Sequence, residues 1–90
     1  MRELIHEHST LLRAPDETAY APRVVGRDRI DGTWEGWIEF HPVALRQAAI
    51  LATERETTQP TREALVYWAT GLEPIYLEGA FDRAVRAAHA

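Results

Sequence analysis

Four histidines, a pair of glutamates and one tryptophan set among arginines are the residues of this 90-residue chain whose types and spacing could do chemistry. His6, Glu7 and His8 could offer metal ligands from alternate positions of a strand, with His41 and His89 completing the set. Two histidines at i and i+2 are too common to specify a metal, and no cysteine or His-x-x-x-His spacing supports them. The simpler reading is a mobile N-terminus with two titrating imidazoles, and no metal or other cofactor is expected. Glu35 and Glu39 fall on one face of one strand, with Asp28 and Asp31 near by. Paired carboxylates act as acid and base when their surroundings drive their pKa values apart. Here each has an arginine at the opposing position of the neighbouring strand, Arg27 and Arg23, which would hold both ionised in cross-strand salt bridges. Trp37 lies between the two glutamates. A large aromatic flanked by arginines is a common interface anchor; the alternative is a second small cluster with Val25 and an end of the chain.

A second candidate spans Glu54 to Arg62. Arg55, Thr57, Thr58, Gln59 and Arg62 precede and open a helix, where exposed amides, hydroxyls and guanidinium groups could hold an anion such as phosphate. Ordinary helix capping would use one of those threonines and leave the rest in solvent. There is no glycine-rich phosphate loop, nucleophile elbow or histidine-containing triad. No residue is therefore assigned to catalysis, and the chain reads as a non-enzyme.

The elements that must position these residues begin with a hairpin. Two alternating runs flank Asp31-Gly32, a strong turn signal. A two-residue loop would set Asp28 opposite Glu35, a like-charge pair that costs stability. A three-residue loop, Ile30-Asp31-Gly32 with Gly32 left-handed, instead sets Arg29 opposite Thr33. That register pairs Arg27 with Glu35, Val25 with Trp37, Arg23 with Glu39, Gly26 with Gly36 and Val24 with Ile38. Val24, Trp34, Ile38 and Phe40 then form an apolar face for helices to cover. Arg23, Val25, Arg27, Glu35, Trp37 and Glu39 form the opposite, charged face, and a one-residue slip would exchange the sets on one strand.

Leu4, Ile5, His8, Leu11 and Leu12 have helical spacing, while His8 to Ala14 also reads as a strand. A strand pairing with the hairpin through the turn residues Pro15-Asp16-Glu17-Thr18 is preferred, with a short helix as the alternative. Val43 to Gln47 read as loop and Ala48 to Thr53 as a third hairpin-linked strand. From Glu54 the pattern turns helical. Pro60 suits the first turn, with Thr58 or Gln59 just outside it. Ala64, Leu65, Trp68, Ala69 and Leu72 line one face. Gly71 is placed for a left-handed cap, and Pro74 bars continuation. Ile75-Tyr76-Leu77 is a short strand or the lead-in to a last helix with Ala80, Phe81, Ala84, Val85 and Ala88 on one stripe. The expected fold is α+β: a single domain over residues 1–90, with an antiparallel meander of three or four strands followed by two C-terminal helices on one face.

Two strings, Asp31-Gly32-Thr33-Trp34-Glu35-Gly36-Trp37 and Tyr67-Trp68-Ala69-Thr70-Gly71-Leu72-Glu73-Pro74-Ile75-Tyr76-Leu77-Glu78-Gly79-Ala80, resemble a group of short bacterial proteins of unknown function. The resemblance runs from about Tyr20 to Ala84 and implies a bacterial, stand-alone domain without implying an activity. The order of hairpin, strand and threonine-led helix (Thr57-Thr58-Gln59-Pro60-Thr61-Arg62-Glu63-Ala64-Leu65) is also similar to HicB-type antitoxins, without their DNA-binding appendix. It suits double-stranded-RNA-binding domains too, but their lysine-rich start to the last helix is missing.

The balance of the chain agrees with an interaction role. Fourteen acids against ten basic residues, all arginine, give a net charge of −4, which repels phosphate backbones and lowers the expectation of nucleic-acid binding. Exclusive use of arginine suits planar, bidentate partners or reflects a GC-rich genome. There is no cysteine, and no apolar run approaches the roughly 20 residues of a membrane span. The first residues carry acids and two histidines where a signal peptide needs an unbroken apolar stretch, so a cytoplasmic protein is expected. The function expected is that of a non-enzymatic protein-interaction or regulatory module that binds a partner or itself as a homodimer. The alternative is a nucleic-acid or phosphate-ligand binder built on Arg55 and Arg62.

Overall fold

The computed structural model describes residues 1–44 and 48–90. Its elements are β1 (Glu3–Glu7), β2 (Leu12–Arg13), β3 (Ala19–Asp28), β4 (Trp34–Pro42), β5 (Leu51–Ala52), β6 (Thr57–Gln59), α1 (Arg62–Thr70) and α2 (Pro74–Ala88). The six strands form one antiparallel sheet, followed by the two helices, so the α+β expectation holds. It is a meander only four ranks wide. β1 and β2 pair in turn along one side of β3, and β5 and β6 pair in turn along the far side of β4.

The β3–β4 ribbon adopts the three-residue loop. Arg29 N–H donates to Thr33 O at 2.7 Å, Gly32 N–H donates to Arg29 O at 2.9 Å, and Gly32 has φ 88. The pairs Arg27–Glu35, Gly26–Gly36, Val25–Trp37, Val24–Ile38 and Arg23–Glu39 all form. Asp31 secures the loop by accepting from Thr33 N–H at 3.0 Å, and Asp16 accepts from Thr18 N–H at the same distance in the turn between β2 and β3. That second turn is also three residues long, with Ala14 N–H donating to Thr18 O, but Glu17 rather than glycine occupies its left-handed position at φ 73.

The N-terminal segment is extended rather than helical, and it is broken in two. The break lies opposite Pro22 of β3, whose carbonyl still accepts from His8 N–H at 3.1 Å. The proline nitrogen points to the same edge with no hydrogen to give, so no ladder can run past it. A bulge between Leu4 and His6 turns Ile5 toward the core.

On the other edge, the strand expected over Ala48–Thr53 shrinks to β5, and Thr53 takes over from it. Its hydroxyl accepts from Ile38 N–H at 3.1 Å and its own N–H donates to Ile38 O at 2.9 Å, satisfying β4 where no strand reaches. Of the loop expected over Val43–Gln47, residues 45–47 lie outside the described residues. The helical reading from Glu54 is also corrected. Thr57–Gln59 form β6, Pro60 lies before the helix, and Thr61 is the N-cap, its hydroxyl accepting from Ala64 N–H at 3.0 Å.

The helices cover one face of the sheet. Leu65 of α1 sits in the trough made by the facing glycines, so close that a Cβ on Gly26 would lie 2.5 Å from Leu65 Cδ2 and one on Gly36 2.7 Å from Leu65 Cδ1. Gly71 ends α1 in the right-handed region, φ −89 and ψ −1, not the left-handed cap expected, and its N–H is shared between Tyr67 O and Trp68 O. Pro74 then fits the first turn of α2, which absorbs Ile75-Tyr76-Leu77 as helix. Leu77, Ala80, Phe81 and Ala84 recur at helical spacing and are buried, whereas Ala88 at the helix end is exposed. Phe81 meets Phe40 edge-on at 5.0 Å and Tyr20 at 5.4 Å between ring centroids. The core joins them to Leu12, Val24, Ile38 and Ala69. Trp34, on the same face, is only half-buried. Glu56 ties the β5–β6 link to α2 by accepting from Tyr76 Oη and Arg83, and burial beside that carboxylate pushes the Tyr76 phenol up to about 12.

Candidate interaction face

Side chains alternate along a strand, so the residues that point away from the helices are odd-numbered on both long strands: Ala21, Arg23, Val25 and Arg27 of β3, and Glu35, Trp37, Glu39 and His41 of β4. Cross-strand pairing sets them in rows. Arg27 faces Glu35, Val25 faces Trp37, and Arg23 faces Glu39. The register thus places these residues on one face as expected, and none of the described helices lies over it.

Its electrostatics are more finished than the sequence indicates. Glu39 is nearly buried and accepts from Arg2 Nε at 2.8 Å, Arg2 Nη2 at 2.5 Å, His41 Nε2 at 3.0 Å and Trp37 Nε1 at 3.3 Å. The Arg2 hydrogen bonds, helped by those from His41 and Trp37 and opposed by burial, hold its pKa at about 2. Glu35 is lowered too, first by the hydrogen bond from Arg27 Nε at 2.5 Å, with Arg55 at 3.8 Å adding charge. Both carboxylates therefore stay ionised near neutral pH, and neither is poised to carry a proton.

Arg23 is the exception. With Glu39 engaged by Arg2, His41 and Trp37, the buried Nε of Arg23 has no acceptor. At the centre Val25 is fully buried, and Trp37 is half-buried with the Arg27 guanidinium 5.6 Å from its ring centroid. Leu4, paired with Val25 from the other side, is 45% exposed and extends the apolar centre. Trp37 is thus both things the sequence offered, a lid on Val25 and an accessible aromatic.

The proposed anion set does not converge. Thr57 faces Leu65 on the helix side, Thr58 faces outward beside Glu35, and Gln59 bonds Thr57. Arg55 approaches Glu35, while Arg62 is held by Glu3 across the helix side of the sheet. The histidines are also separated. His6 and His8 meet edge to face with ring centroids 4.7 Å apart, His8 Nε2 donates to Ala69 O at 2.9 Å, and Glu7 points to the other face. His41 serves Glu39, and His89 caps α2. Among the described residues no group of three or more histidine, aspartate or glutamate side chains could hold a metal ion, and no helix is long and apolar enough to cross a membrane.

Arg2 and His41 were not anticipated on this face. His41 was legible, two residues beyond Glu39 on the same alternation, whereas Arg2 reaches Glu39 only because β1 is paired in this register. No protein-family model matches the chain, nor does any curated protein or solved structure.

Proposed function

We propose that this protein is a non-enzymatic interaction module whose helix-free sheet face docks on the same face of a second copy. The observation that carries the reading is the row pattern, Arg-Val-Arg on β3 beside Glu-Trp-Glu on β4. A two-fold axis running along the strands between β3 and β4 lays each strand over the partner's other one. Every arginine then stands above a glutamate, and the two indoles close side by side over the centre. An isologous contact needs this kind of self-complementarity. Arg23 then stands over the row that holds the partner's Glu39.

The contact is small. Four strand ranks about 4.8 Å apart and some seven residues of about 3.4 Å give a face of roughly 450 Å². Two such faces bury on the order of 1,000 Å², the range of weak and transient complexes. Association should therefore be concentration-dependent, with the Trp37 pair as its main anchor.

Light scattering over a wide concentration range tests this. Wild type should pass from monomer toward dimer as concentration rises, and Trp37→Ala should remain a folded monomer throughout. Reversing one row, Arg27→Glu, should weaken the dimer, and adding Glu35→Arg should restore it. A wild type that stays monomeric into the millimolar range overturns the proposal.

A further inference from the structure

At the β4 margin of the outer face, where the link from β5 to β6 passes, a cleft of about 250 Å³ opens between Arg27, Glu35, Trp37, Thr53 and Arg55. Glu35 is the one acid in its lining, and two guanidinium groups share that carboxylate. Arg27 Nε donates to it at 2.5 Å, and Arg55 Nη1 stands 3.8 Å away. Glu54, next to Arg55 in the chain, lines a separate cavity on the α2 side with Glu56 and Arg83. The cleft therefore carries two positive charges against one negative.

Its hydrogen-bonding capacity is unbalanced in the same direction. A guanidinium has five N–H donors in a planar fork. Arg27 commits only its Nε, and Arg55 makes no hydrogen bond among the described residues. Thr53 is buried, and its Oγ accepts from Ile38 N–H, so its hydroxyl hydrogen remains to be given. Trp37 spends its single donor on Glu39, so what it adds here is apolar ring surface. Donors thus outnumber acceptors beside an indole. Both arginines are half-exposed, so a ligand reaches them without unpacking the fold.

We infer that this cleft binds a small phosphate monoester, its phosphoryl oxygens on the Arg27 and Arg55 guanidinium groups and its organic part against the Trp37 ring. Three free oxygens match two forks and a hydroxyl, where a carboxylate offers only two. Arg55 then serves an anion as the sequence suggested, but in company with Arg27 and Thr53 rather than Thr57, Thr58, Gln59 and Arg62. Glu35 is held below its ordinary pKa, first by the hydrogen bond from Arg27, so it stays charged and competes with the ligand for both arginines. The site shares Arg27 with the docking of two copies but does not rest on it.

Nitrogen–proton NMR of the labelled whole protein tests this, following the Arg27 and Arg55 Nε–H signals as phenyl phosphate is added at low salt. Both signals should shift saturably. Arg55→Ala should stay folded by circular dichroism and bind about tenfold more weakly or worse, the loss expected for a charge-assisted contact. Arg62→Ala, on the helix side, should bind as wild type. Glu35→Gln, relieved of the competing carboxylate, should bind about threefold more tightly, an effect that a merely structural role for Glu35 would not give. Absence of saturable shifts, full binding by folded Arg55→Ala, an equal loss in Arg62→Ala, or no tightening in folded Glu35→Gln would each overturn the inference. Inorganic phosphate or benzoate binding as tightly as phenyl phosphate would overturn the assignment to a phosphate monoester. A wild type found monomeric by light scattering would overturn the docking of the sheet faces and leave this result standing.

Discussion

The two faces of the β3–β4 ribbon are built from alternate residues of the same strands, yet they are held by different physics. The helix side is close-packed: Val24, Ile38 and Phe40 are fully buried, and a facing pair of glycines admits Leu65 to the backbone. The outer side has no covering layer among the described residues and is held by charge, Arg2 and His41 on Glu39, Arg27 and Arg55 on Glu35. Packing is local and intolerant of volume change, whereas ion pairs that reach half-exposed arginines are softer and screened by salt. One face is held by packing, and the other by ion pairs.

The sharpest way to break this contrast is on the packed side. Phe40→Ala removes a fully buried ring that meets Phe81 and should cost about 3–5 kcal/mol. A domain of this size has about 5–15 kcal/mol in total, so urea midpoints should fall steeply. Gly26→Ala adds a methyl that would lie 2.5 Å from Leu65 and 2.9 Å from the Glu35 carbonyl oxygen. Overpacking of that kind costs about 1–3 kcal/mol, and a neutral result would show that α1 is free to lift from the sheet.

The charged side answers to pH instead. Glu39 ionises at about 2 in the folded chain against an ordinary 4.5, so its contribution is complete above pH 4.5 and is lost as pH falls toward 2. By linkage that is up to about 3 kcal/mol, less what screening at half-exposed Arg2 removes. Urea unfolding of wild type and Glu39→Gln should therefore differ at pH 6 and converge near pH 2. Equal stability at pH 6 would mean that the Arg2 and His41 bonds do not hold this face.

The ribbon was legible in the sequence because two constraints agreed: Asp31-Gly32 marked the turn, and the Asp28–Glu35 repulsion excluded the shorter loop. The charged face followed by alternation alone. The edges were not legible, since β5 and β6 are only two and three residues long and exist through contacts remote in sequence, Thr53 on Ile38 and Glu56 on Tyr76 and Arg83. Pro60 suggested a helix start, yet the Thr61 hydroxyl caps the helix, which begins only at Arg62. At Gly71 the stop signal was correct and the conformation was not, because a shared right-handed bond to two carbonyls ends α1 equally well. Arg2 depended on a bulge that no local pattern announces.

The missing amide hydrogen of Pro22 has a consequence for solubility. An unbroken edge strand offers a continuous ladder of free donors and acceptors, which is how sheets recruit further copies into fibrils. Cross-β stacking takes segments of about six or seven residues. Here one edge is interrupted opposite the proline into pieces of five and two residues, the longer one bulged, and the other edge into pieces of two and three. A single imino acid in an internal strand thereby helps keep that edge of the sheet from growing sideways.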